Sequence, residues 1–158
     1  MKPLLIDTPF QEWNIKGLPV YRNKQIRKWI YEKGILDFEE MSNLPLEVRK
    51  DLGNEWDLRP MELVRVQGSQ DTTQKFLLKL RDGQLIESVL IPATQGTKGI
   101  RASRLTLCVS TQVGCGLGCK FCASGLDGLK RNLSTGEIIG QILLARSKAK
   151  RRVDNLVF

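Results

Sequence analysis

The chain contains no histidine. That absence removes every Ser-His and Cys-His nucleophile pair and every His-ligated metal site, so a general base must be a carboxylate, a lysine or a bound group. Aromatic residues are scarce, at 6% of 158 residues. No apolar run approaches the roughly 20 residues that a membrane-spanning helix needs. The apolar stretch in MKPLLIDTPFQEW is four residues long, too short for a signal-peptide core. These absences predict a cytoplasmic protein without membrane attachment. What is present reads as globular: 41% hydrophobic and 27% charged residues exclude wholesale disorder. A chain of this size buries about 68–70% of its unfolded surface.

Acidic residues become scarce toward the C-terminal end. Residues 1–60 hold ten basic and ten acidic side chains, residues 61–100 five and four, and residues 101–158 ten and three. The last stretch thus carries +7 of the net +8, and it also holds all four cysteines. A basic excess beside a reactive-looking site suggests a polyanionic partner such as nucleic acid, while the plainer reading is a solvated helix face.

Residues 1–58 read as small helices. The spacing of Ile26, Trp29 and Ile30 predicts a helix over Arg22–Lys33 with Gly34 just beyond it. Pro45 starts a helix Leu46–Leu52, and Gly53 ends it. Arg22, Lys24, Arg27 and Lys28 can reach phosphates or simply face solvent. From residue 61 the pattern turns to strands. Met61–Val66 and Lys75–Leu80 are short apolar runs, and Asp82-Gly83 signals a hairpin before Leu85–Ile91. Period-two alternation puts Leu85, Glu87, Val89 and Ile91 on one face. Glu87 then stands as a carboxylate on an apolar face. It is either an edge charge that discourages aggregation or a proton acceptor made more basic by poor solvation.

Residues 93–103 read as a polar loop, and Arg104–Ser110 as a strand. Gly114–Cys122 is too rich in glycine for regular structure. Ser134-Thr135-Gly136-Glu137 is a capping box that opens a helix with Ile138, Ile139, Ile142, Leu143 and Ala149 at helical spacing. Basic residues from Lys148 to Arg152 suit its C-terminal end. Asn155–Phe158 begins another apolar strand. Strand, cysteine loop, helix and strand make a βαβ unit and predict a parallel sheet. The fold class expected is α/β in three parts. These are a helical accessory domain at 1–58, a β-hairpin connector at 59–103, and the start of a partial (β/α) barrel at 104–158.

Cys115, Cys119 and Cys122 form C-x-x-x-C-x-x-C. Three thiolates within eight residues can converge on one metal centre, with Gly114, Gly116 and Gly118 letting the backbone wrap around it. Structural zinc takes four ligands and would have to recruit Cys108, whose seven-residue offset is a poor match. Disulfides are not expected in a chain without a secretory signal. An iron–sulfur cluster accepts thiolate ligands, and three of them leave one iron open to a substrate.

The C-x-x-x-C-x-aromatic-C pattern, with Phe121 as the aromatic residue, resembles the signature of radical S-adenosylmethionine (SAM) enzymes. LCVSTQVGCGLGCKFC (107–122) and KRNLSTGEIIGQIL (130–143) resemble the RlmN/Cfr family of ribosomal RNA adenine methyltransferases. So do YRNKQIRKWIYEKG (21–34), FEEMSNLP (38–45) and LIESVLIP (85–92). The resemblance covers almost the whole chain in the family's order. It implies a [4Fe-4S] cluster held by Cys115, Cys119 and Cys122, with SAM on the fourth iron. It implies methylation of carbon 2 of an adenine in 23S rRNA, and in certain tRNAs, through a methyl-cysteine and a covalent protein–RNA intermediate. Glu87 matches the family's proton acceptor. Cys108 matches the cysteine that resolves the intermediate as a transient disulfide; its plainer reading is a small buried strand residue. The implied partners are 23S rRNA, tRNA and an electron donor such as flavodoxin, and the chain is read as a monomer.

Three departures from the family pattern stand out. The loop between Pro92 and Leu105 is longer than in the shortest members. Leu129 replaces a common aromatic residue. The chain stops at Asn155–Phe158, where the family continues into a G-x-G-E-P strand end that binds SAM. As it stands the chain is expected to lack the rest of the SAM site and the methyl-carrying cysteine, and so not to complete the reaction. The alternatives are carbon 8 methylation of the Cfr type, another radical SAM enzyme, or a basic RNA-binding module with a four-cysteine zinc site.

Overall fold

The computed structural model describes residues 1–13, 15, 17–69, 73–93 and 104–158. The loop expected at 93–103 therefore lies outside the described residues, except for Ala93. The chain divides into two compact units, Met1–Pro60 and Met61–Phe158.

The first unit is built from short helices. Helix α1 (Val20–Arg27) runs directly into a π-helical turn at Lys28–Glu32. Gly34 follows at φ +72°, as expected of a residue just past a helix end. Ile26 and Ile30, one turn apart, are fully buried with Leu5, Ile6 and Met41. Helix α2 (Leu46–Glu55) starts after Pro45 but does not stop at Gly53. The glycine is simply carried inside the helix, and the chain leaves it at Trp56. The two ends of the unit are tied together, because Leu5 N–H donates to Asp57 O and Asp57 N–H donates to Pro3 O.

Among the described residues, the second unit is built on a five-stranded sheet covered on one face by a helix. Strands β1 (Met61–Gln67), β2 (Gln74–Leu80), β3 (Leu85–Pro92) and β4 (Leu105–Cys108) pair antiparallel in succession. The β2–β3 turn closes at Asp82-Gly83. Gly83 takes φ +85°, and the Asp82 carboxylate accepts from the Gln84 backbone N–H. Beyond β4 the chain makes a small two-stranded sheet, β5 (Gln112–Gly114) with β6 (Leu129–Asn132), which local sequence pattern does not signal. Helix α3 (Thr135–Ala149) comes next, and β7 (Asn155–Val157) returns parallel to β4. The expected βαβ unit is thus present as β4–α3–β7. The hairpin expected as a separate connector pairs edge to edge with β4 and shares its core.

That core is Phe76, Leu78, Leu80, Ile86, Leu90, Leu105 and Leu107, with Ile138, Ile142 and Ala145 of α3 packed on it. Because strand side chains alternate, the other face of the sheet is left open. In β3 the buried set is Ile86, Ser88 and Leu90, whereas Leu85, Glu87 and Ile91 are exposed. This overturns the expected environment of Glu87. The alternation has the expected phase, but the apolar neighbours of Glu87 face outward and do not desolvate it.

Helix α3 starts with the expected capping box. Ser134 Oγ accepts from the Glu137 N–H, and Glu137 Oε2 accepts from the Ser134 N–H. Arg131 on β6 adds a clamp. Its guanidinium makes two 2.8 Å hydrogen bonds to the buried Glu137 carboxylate and a third to Asp82 at the hairpin tip. Burial pushes the Glu137 carboxyl upward. The Arg131 hydrogen bonds, the Ser134 N–H and the guanidinium charge outweigh it and hold the group below its ordinary value. A carboxyl depressed in the folded state stabilises above its unfolded value, about 4.3, and loses that contribution as pH falls. Glu137→Gln keeps an acceptor for the cap but breaks the ion pair. We expect a loss of about 2 kcal/mol at pH 7, read by urea denaturation, with the gap between variant and parent closing below about pH 4.

Candidate functional site

The open face of the sheet brings two of the singled-out residues together. Val89 pairs with Cys108 in the β3–β4 register, and directly paired residues project to the same side. Glu87, two residues before Val89, therefore shares a face with Cys108 and lies diagonally across from it. Cys108 is half-buried, between Val89 on one side and Val157 of β7 on the other. The Glu87 carboxylate forms a 2.8 Å ion pair with Lys75 of β2, and half of its side chain is exposed. Sequence reasoning missed Lys75. The signal was available, since the hairpin register places Lys75 opposite Val89 on this same face.

A cleft of about 580 Å³ opens beside this face. Leu77, Leu85 and Glu87 of the sheet line it, together with Ser110, Gly114 and Asp127. It therefore joins the proposed base to the segment that carries the remaining cysteines.

Those cysteines sit on the excursion between β5 and β6. Gly114 opens it at φ +75°, where a Cβ would collide with the carbonyl of Gly128. Cys115 N–H donates to that same carbonyl at 3.2 Å, so the two ends of the excursion are stapled. Gly118 also takes a left-handed backbone, at φ +60°, whereas Gly116 does not. Cys119 and Cys122 share a turn in which Cys122 N–H donates to Cys119 O. Phe121 between them is 94% exposed, and Leu117 and Leu126 also face solvent.

All four cysteines are free and half-buried. Among the described residues no three His, Cys, Asp or Glu side chains converge closely enough to grip a metal ion. Cys108 sits on a sheet strand, apart in the chain from the other three, which are drawn into one excursion. As a donor set those three are thiols only, half accessible on a tethered loop. That chemistry suits a thiolate-ligated iron–sulfur group. No helix among the described residues is long and apolar enough to cross a membrane.

Residues 10–57 match the family described as the ribosomal RNA large subunit methyltransferase N-terminal domain. A probable dual-specificity RNA methyltransferase RlmN of Akkermansia muciniphila is 52% identical over 142 residues, which are 90% of this chain and 40% of that protein. The dual-specificity RNA methyltransferase RlmN of Nitratiruptor is 41% identical over 163 aligned positions, 98% of this chain and 46% of that protein. A crystal structure of a radical SAM methyltransferase from Sphaerobacter thermophilus matches with TM-score 0.86 at 37% identity, covering 99% of this chain and 46% of that one. The chain thus spans 40–46% of the length of these relatives.

Proposed function

We propose that this chain, which is similar to RlmN methyltransferases and shares the fold of a radical SAM methyltransferase, supplies the cluster ligands and the proton acceptor for methylation of carbon 2 of adenine in 23S rRNA and in tRNA. The observation that carries this reading is the shared face. Glu87 and Cys108 stand on adjacent paired strands, and the cleft beside Glu87 runs to the cysteine loop.

Cys115, Cys119 and Cys122 would hold a [4Fe-4S] cluster, and three protein thiolates leave one iron for SAM. When bound, that group supplies one-electron reductive cleavage of SAM, the source of radical chemistry at an unactivated carbon. The chain's own residues handle the later steps at the base. Once a new bond to adenine carbon 2 has formed, that carbon still carries its original hydrogen. Glu87 accepts this proton, and the ring can regain aromaticity. Cys108 then attacks the sulfur that carried the methyl group, so a disulfide forms as the carbon–sulfur bond breaks, and the carbon left on the base keeps that electron pair and takes up a proton to become the methyl group. Residues 1–60, which include the matched N-terminal family, would contact the RNA, with Arg22, Lys24, Arg27 and Lys28 as phosphate partners.

Anaerobic reconstitution of this chain with iron and sulfide tests the metal class. We expect about four irons and four sulfides per chain. Stoichiometric zinc without iron uptake would replace this reading with a zinc-binding RNA module.

A further inference from the structure

We propose that Gln141 is a positioning residue, which holds the proposed proton acceptor and the entrance to the cysteine loop in one frame from the buried side of the sheet. The inference rests on the proposed role of Glu87.

Gln141 lies on α3 within the stripe of Ile138, Ile142 and Ala145, where an apolar residue would pack. It is fully buried. Burying an amide is costly unless its hydrogen bonds are met, and here all four are used. Its Oε1 accepts from Ser88 Oγ at 2.5 Å and from Ser110 N–H at 2.9 Å. Its Nε2 donates to Ser110 O at 2.9 Å and to Glu137 O at 3.2 Å. One side chain therefore grips both backbone groups of Ser110. Ser110 Oγ in turn donates to the Glu87 backbone carbonyl at 2.7 Å.

The targets of these bonds are informative. Ser88 is the neighbour of Glu87 and points to the opposite face. Ser110 comes two residues after Cys108 and five before Cys115, and it lines the cleft. The network thus lies behind Glu87 and sets the backbone from which the carboxylate projects. An apolar residue at 141 could satisfy the packing but could not register β3 against the strand exit at Ser110. Replacing a satisfied polar network by apolar groups is often nearly neutral for stability, so stability alone does not account for a buried amide here.

The test uses a methylation-competent protein carrying these residues, and it tracks resolution of the covalent protein–RNA adduct. Gln141→Leu removes all four bonds. It should slow adduct resolution about 10- to 100-fold, as expected for a misplaced reacting group, while iron content and SAM cleavage per iron stay at the parent level. Gln141→Glu is the conservative variant. Burial raises the pKa of the introduced carboxyl, and only its protonated form can both accept and donate. The titratable groups on the elements meeting it are Glu137, Arg146 and Lys148 on α3, Glu87 on β3 and Cys108 on β4. Glu137 is already paired with Arg131, and Glu87 with Lys75. The rate of this variant relative to parent should therefore rise as pH is lowered from 8 to 6. Ser110→Ala keeps the helix contacts and removes only the bond to Glu87, so it gives a smaller slowing and tests the idea even if Gln141→Leu does not fold. Parent-rate resolution in Gln141→Leu, or SAM cleavage falling in step with resolution, overturns the proposal. The proposed role of Glu87 fails separately, if Glu87→Gln traps no adduct.

Discussion

Glu87→Gln, in a methylation-competent protein carrying this chain, is expected to stall as a covalent protein–RNA adduct, seen as a slowly migrating band on a denaturing gel. The substitution keeps the size of the side chain and removes its capacity to take a proton. With no histidine in the chain, no imidazole of its own can substitute, and loss of a positioned base typically costs about 10²–10⁴ in rate. Steps before proton loss do not use Glu87, so iron loading and SAM cleavage should be unchanged. The structure alters the grounds for this expectation. Glu87 is half exposed and paired with Lys75, so it is not the desolvated carboxylate that strand alternation predicts. What supports its role is position, on the face of Cys108 and in the cleft that runs to the cysteine loop. Normal turnover without adduct would return Glu87 to the role of a surface charge paired across the hairpin.

The second large effect is expected at the cysteine loop. Cys115→Ala, Cys119→Ala and Cys122→Ala should each abolish iron loading, because two thiolates do not retain a cluster whose fourth iron has no protein ligand. Cys108→Ala should load iron as the parent does. The separation is structural: Cys108 is built into β4 between two paired strands, while the other three share the excursion between β5 and β6. Iron and sulfide content after anaerobic reconstitution decides it. Equal loss of iron in Cys108→Ala would indicate a four-cysteine site.

Some features were legible because they are local. The capping box at Ser134–Glu137, the Asp82-Gly83 turn, the left-handed Gly34 and the C-x-x-x-C-x-x-C spacing each depend on residues within a few positions of one another. Their physics is settled by short-range geometry and hydrogen bonding. The βαβ reading came from the same kind of signal, hydrophobic period changing from two to 3.6 and back. The absence of histidine left a carboxylate, a lysine or a bound group as the base this chain can offer.

Other features depended on partners far along the chain. Alternation in Leu85–Ile91 put Glu87, Val89 and Ile91 on one face, but only α3, arriving some fifty residues later, decided which face was buried. It covers Ile86, Ser88 and Leu90, so the face of Glu87 is the open one. Gln141 stood in plain view as a polar residue in an apolar helical stripe, yet its meaning needed Ser88 and Ser110 at their packed distances. The Lys75–Glu87 and Arg131–Glu137–Asp82 contacts likewise join separate strands and turns. The sequence alone determined which residues can do the chemistry, because side-chain identity and local spacing are intrinsic to it. The tertiary structure decided which of them face the same cleft, because burial and long-range hydrogen bonds exist only after the sheet and helix have packed.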